Sequence, residues 1–110
     1  MIMSETKHTP GPWHATPRFN GLTPAQEERL HLLVEECGEV IQAACKVLRH
    51  GWESCHPDGG PNNRALLERE LGDLHAAEEL MVCRADLNSD LIARAREDKH
   101  EKVEQYLHYN

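Results

Sequence analysis

From Leu30 onward, apolar side chains return every three or four positions, through Leu33, Cys37, Val40, Ile41, Ala44 and Val47 to Leu48. An α-helix brings such positions to one side, whereas a strand would scatter them over both faces. The stripe therefore commits this stretch to one long helix. Its start is marked by Thr23-Pro24-Ala25-Gln26, with Thr as N-cap, Pro at the first helical position and Gln in the capping-box place. Gly51, following Arg49 and His50, suits the position just past its end. Residues 51 to 63 hold two prolines and three glycines around Asp58-Gly59-Gly60-Pro61 and read as a loop. A connection that long often has a function.

A second stripe, Leu67, Leu71, Leu74, Ala77 and Met81, predicts a helix capped by Asn62 or Asn63 and ending near Asp86. A third helix, with Ser89 as cap, carries Leu91, Ile92, Ala95, Val103 and Tyr106 with basic residues between them. No β-branched alternation of any length occurs, so no substantial sheet is expected. The 110 residues suit one domain. The expected fold is all-α: an irregular N-terminal arm over 1–22, broken by Pro10, Pro12, Pro17, Gly11 and Gly21, and a helical domain over 23–110. Its helices lie at about 23–50, 63–86 and 89–107, forming an antiparallel helical bundle. The stripes look broader than three helices can cover, so the bundle is expected to be completed by a second copy. In the arm, Trp13 and Phe19 either dock it onto the helices or stack on a ligand's base.

Lys and Arg number 12 against 19 Asp and Glu, a formal charge of −7. That sign opposes binding to a phosphodiester backbone, so no nucleic-acid partner is expected. It does not oppose phosphate binding through divalent cations, which become the largest local charges where they sit. No apolar run approaches the roughly 20 residues of a membrane span, and the first ten residues lack a secretory pattern. The expected location is the cytoplasm, with no membrane partner. There Cys37, Cys45, Cys55 and Cys83, which contain no CxxC pair, are expected as thiols. Cys55 with His50 and His56 lacks a second pair at ligand spacing and reads as loop rather than as zinc site.

The acids carry more information. Glu35, Glu36 and Glu39 share an arc of about 100° on the first helix, beside its apolar stripe. Glu70 and Asp73 lie one turn apart on the second, bordering and partly occupying its apolar face. If the second helix folds back along the first, residues 70–73 come level with 36–39, since both stretches lie at similar distances from the loop. Repulsion between carboxylates is about fourfold stronger at an effective dielectric near 20 than in bulk water. A partly buried cluster therefore asks for a cation, and all-oxygen ligands select hard ions such as Mg²⁺, Mn²⁺ or Ca²⁺. The alternative for Glu35, Glu36 and Glu39 is a solvated acidic face. Glu70 beside a core stripe is harder to explain that way, and Gly72 within the helix suggests a close approach there. Farther along the acidic face of the first helix, Gln42 and Lys46 are placed to hold phosphates, the alternative for the lysine being an ordinary surface charge.

Glu35-Glu36-x-x-Glu39 followed by Glu70-x-x-Asp73, within Leu-Leu-Val-Glu-Glu-Cys-Gly-Glu-Val and Glu-Leu-Gly-Asp-Leu, resembles the MazG-like all-α nucleoside triphosphate pyrophosphohydrolases. The likeness covers roughly residues 23 to 106. It implies a homodimer or homotetramer that cleaves an NTP or dNTP to the monophosphate and pyrophosphate with two or more Mg²⁺ or Mn²⁺ ions per site. It implies Glu36, Glu39, Glu70 and Asp73 as metal ligands and Glu35 as the residue that orients or deprotonates the attacking water or holds an additional ion. Lys99 and Lys102, with Tyr106 one turn on, resemble the basic end of the family's last helix. Compact members occur in phages, which would place the protein in a host cytoplasm, and one branch, MazZ, acts on guanine nucleotides. Trp13 in the arm, with Trp52 and Asn62 in the loop, would mark such a member and imply a preference for dGTP or GTP. Ala77 departs from the pattern, because several relatives place a polar residue four positions after the aspartate.

Two readings outside catalysis compete. One is an acidic helical interaction module that dimerises and binds a basic partner. The other is a nucleotide sensor that binds metal and nucleotide without turnover.

Overall fold

A computed structural model describes residues 19–109; the arm up to residue 18, including Trp13, lies outside them. The described residues are all-helical: α1 (Pro24–His50), α2 (Asn63–Cys83) and α3 (Ser89–Tyr106), with no strand among them. None of these helices is long and apolar enough to cross a membrane.

The start of α1 follows its local chemistry. The Thr23 hydroxyl accepts from the Gln26 amide at 3.1 Å, and the Gln26 side chain accepts from the Thr23 amide at 2.8 Å, closing two donors that the first turn leaves open. At the other end Gly51 adopts φ 88°, and its amide donates to the Val47 carbonyl. Asn62, not Asn63, caps α2. Its side-chain oxygen accepts from the Ala65 amide, while the Asn63 and Arg64 amides donate to the Ser54 and Trp52 carbonyls of the loop. The first three amides of α2 are thus all engaged.

Two helix boundaries differ from the sequence expectation. α2 stops at Cys83 rather than near Asp86, because Ala85 turns left-handed at φ 65°. The Asp86 amide then donates to the Met81 carbonyl and the Ala85 amide to that of Val82, the paired bonds of a Schellman turn. The N-cap of α3 is Asn88 rather than Ser89. Its side-chain oxygen accepts from both the Asp90 and Leu91 amides, a stronger closure than a serine one residue later would provide.

α1 and α2 pack along their length, whereas α3 makes no comparable contact with either and buries no residue. Lys46 at the end of α1 meets Asn63 at the start of α2, and Arg29 near the start of α1 meets Asp86 just past the end of α2. The buried apolar side chains among the described residues are Ala43, Ala77 and Met81. The contact follows seven-residue steps: Arg29, Glu36, Ala43 and Leu33, Val40, Val47 on α1, against Asn63, Glu70, Ala77 and Leu67, Leu74, Met81 on α2. All of these are buried or half-buried. This contact line on α1 is rotated by roughly 60° from the centre of the apolar stripe toward the acids. The other flank of the stripe, Val34, Ile41 and Leu48, stays 67%, 63% and 85% exposed.

Candidate functional site

Glu36 and Glu70 occupy corresponding steps of that heptad pattern, in the row that also holds Ala43 and Ala77. Each is half-buried. Glu39, one turn on from Glu36, and Asp73, one turn on from Glu70, flank them on exposed shoulders of the contact. Carboxylate oxygens of Glu36, Glu39 and Asp73 all lie within 4.8 Å of one another. Three of the acids expected to come level across the helix pair, Glu36, Glu39 and Asp73, are therefore close to one another.

Their electrostatics show the strain of this arrangement. Burial holds the Glu36 carboxyl above its ordinary pKa, and the charges of Glu39, Asp73, Glu70 and Glu35 add to it in that order. Glu70 is raised as well, first by burial, then by the charge of Glu39, by a hydrogen bond with Asp73 and by that residue's charge, with Arg69 opposing. No Lys or Arg forms an ion pair with any of these four acids among the described residues. A hard cation would supply the missing positive charge, and the all-oxygen donor set fits one.

The remaining sequence-expected residues are scattered around this centre. Glu35 is exposed and lines a recess of about 390 Å³ with Arg29, Leu32 and Leu80. Gln42 and Lys46 continue along α1 from Glu39, lining a shallow recess of about 340 Å³ with Cys45 and Arg49. Trp52 is half-exposed beneath the Arg64 guanidinium, which lies 5.2 Å from the ring centroid and also pairs with Glu53. The Asn62 side chain is committed twice, accepting from the Ala65 amide and donating to Glu53 at 3.1 Å. Lys99, Lys102 and Tyr106 stand exposed on α3, which is not packed on the α1–α2 pair. Trp13 lies outside the described residues.

One expectation is overturned. A Cβ built at Gly72 meets nothing within 4 Å, so no close approach explains that glycine, and the same holds for Gly38. One contact was missed. Arg29 forms a two-bond pair with Asp86 that ties the start of α1 to the turn after α2. The sequence alone gave no signal for it, because Arg29 joins the contact line only once the rotation of α1 is known. The four cysteines are free thiols, and Cys55, His50 and His56 line a common cavity beside the loop. No protein-family model, curated protein or solved structure matches the chain.

Proposed function

We propose that the chain is a Mg²⁺- or Mn²⁺-dependent pyrophosphohydrolase of nucleoside triphosphates, converting an NTP or dNTP and water to the monophosphate and pyrophosphate. The observation that carries this reading is the approach of Glu36, Glu39 and Asp73 within 4.8 Å, with Glu70 coupled to them. Carboxylates at heptad core steps weaken a helix pair unless they serve a ligand. Glu36, Glu39, Glu70 and Asp73 would hold the cations. When bound, these would offset the roughly four negative charges of a triphosphate, acidify the attacking water and stabilise the leaving pyrophosphate. Glu35, exposed on the same helix beside Glu36, would orient that water or accept its proton. Gln42 and Lys46 would bind phosphate oxygens. Lys99, Lys102, Tyr106, Trp13, Trp52 and Asn62 are assigned to the substrate by resemblance, as is a preference for guanine nucleotides.

The active form in this proposal is a homodimer or homotetramer, in which two copies make an antiparallel bundle. Its support is the open seam of Val34, Ile41 and Leu48, spaced at seven residues on α1.

The test is pyrophosphate release from each of the eight standard NTPs and dNTPs, with Mg²⁺ and with Mn²⁺, comparing the native chain with Glu39→Ala and Asp73→Ala. Metal-dependent release that vanishes in both variants supports the reading and ranks the bases. Equal turnover of pyrimidine nucleotides and dGTP removes the guanine preference. No release with any of the eight, and no stabilisation by either cation, favours a non-catalytic acidic helical module.

A further inference from the structure

Beyond the carboxylates, a second cavity sits where the end of α1, the loop and the start of α2 meet. Its volume of about 520 Å³ falls in the range of small-molecule sites. Lys46, Arg49 and His50 line it from the last turns of α1, and His56 from the loop. No carboxylate among the described residues lines it, in a chain of net charge −7. The nearby acids are accounted for: Glu53 pairs with Arg64, and Asp58, 3.6 Å from His56, points outward with its side chain 91% exposed. Neither Lys46 nor Arg49 has an ion-pair partner among the described residues. The opening amides of α2 are closed by Ser54, Trp52 and Asn62, so the side chains, rather than a helix end, make this cavity electropositive. Pro57 and Leu66 add apolar wall.

We propose that this cavity is a binding site for a phosphate monoester. Lys46 and Arg49 hold the phosphoryl oxygens, and the organic part lies against Pro57 and Leu66. Arg presents a planar fork to the phosphate and Lys a point charge, so the two contribute unequally. The site needs neither a metal ion nor the carboxylates, and it shares Lys46 with the hydrolytic reading, from which its metal-independence separates it.

The test is an NMR titration of the full chain in excess EDTA, with inorganic phosphate and with GMP as probes. Saturable shifts are expected at Arg49, His50, Ser54 and His56, with GMP binding several-fold more tightly than phosphate. Lys46→Gln together with Arg49→Gln should weaken both probes at least tenfold, and Arg49→Lys alone should lose less. Glu39→Ala should bind both probes as the native chain does, which separates this site from the acidic one. Shifts that fail to saturate, equal affinity for phosphate and GMP, or binding unchanged in the double variant would each overturn the proposal.

Discussion

Arg29 donates two hydrogen bonds to Asp86, Nε to Oδ2 at 2.6 Å and Nη2 to Oδ1 at 3.0 Å, across 57 residues of chain. The side chains are only 17% and 10% exposed. The Schellman turn after α2 places Asp86 for this contact. The guanidinium holds the Asp86 carboxyl below its ordinary value of 3.8, burial opposing. This pair therefore contributes stability that is present above pH 3.8 and is lost as pH falls through the depressed pKa. Asp86→Asn should lower the urea midpoint at pH 7 and remove that acid-side loss. Arg29→Lys should also destabilise, because a lysine cannot supply both bonds in that geometry.

Glu36 and Glu70 have the opposite sign. Their pKa values in the folded chain are raised above the ordinary 4.5. Their favourable contribution is complete below pH 4.5 and disappears as pH rises through the raised values, leaving ionised acids that repel. In EDTA, a thermal melt of the native chain should show this alkaline-side loss between mildly acid and neutral pH. Glu70→Gln should reduce it. Mg²⁺ or Mn²⁺ should raise the native melting temperature at pH 7 in proportion to the logarithm of ion concentration, and raise that of Glu70→Gln less. A native melting curve indifferent to both ions at millimolar concentration would count against the metal centre.

Gly72 lies within α2 with open space where a Cβ would go. Gly72→Ala should therefore stabilise the chain by about 1 kcal/mol, the helix-propensity difference, measured by urea unfolding. Destabilisation instead would reveal a close neighbour in the assembled protein.

Ala85 holds a left-handed conformation that glycine adopts without strain. Ala85→Gly should stabilise the turn by roughly 0.5–1 kcal/mol. Since Asp86 follows directly, the same substitution should leave the pH dependence of the Arg29 pair unchanged.

If the seam of Val34, Ile41 and Leu48 joins two copies, Ile41→Glu should shift the sedimentation coefficient to that of a monomer and retain the helical circular dichroism of the α1–α2 pair. A native chain that sediments as a monomer at all concentrations would remove the assembly from the proposal.

Much of the helix layout was legible because it rests on local rules. The Thr23–Gln26 box, Gly51 and the asparagine before α2 each act within one turn, so spacing alone reveals them. The level of the two acid groups followed from counting outward from the loop. The rotation of α1 was not legible. A broad apolar stripe offers several contact lines of similar hydrophobicity, and the one used places Glu36 and Ala43 inward and leaves Ile41 and Leu48 outside. The end of α2 was overrun because Ala85 carries none of the usual signals of a left-handed residue. Asn88 prevailed over Ser89 as a cap because its carbonyl reaches two amides.

The clasp made by Asn63 has a kinetic consequence. Its buried side-chain amide donates to the Gly51 carbonyl at 3.0 Å and to that of Lys46 at 3.5 Å, over 12 and 17 residues. Short closures lose less chain entropy than long ones, so the hairpin is expected to zip outward from this bend and to reach Arg29 and Asp86 last. The acidic centre lies midway along that path and meets its own repulsion after the bend has closed. If a cation binds there as proposed, it would act on the late part of the reaction, slowing the opening of the finished hairpin far more than it speeds the first closure. In stopped-flow chevrons, Mg²⁺ should lower the unfolding limb and leave the refolding limb nearly in place.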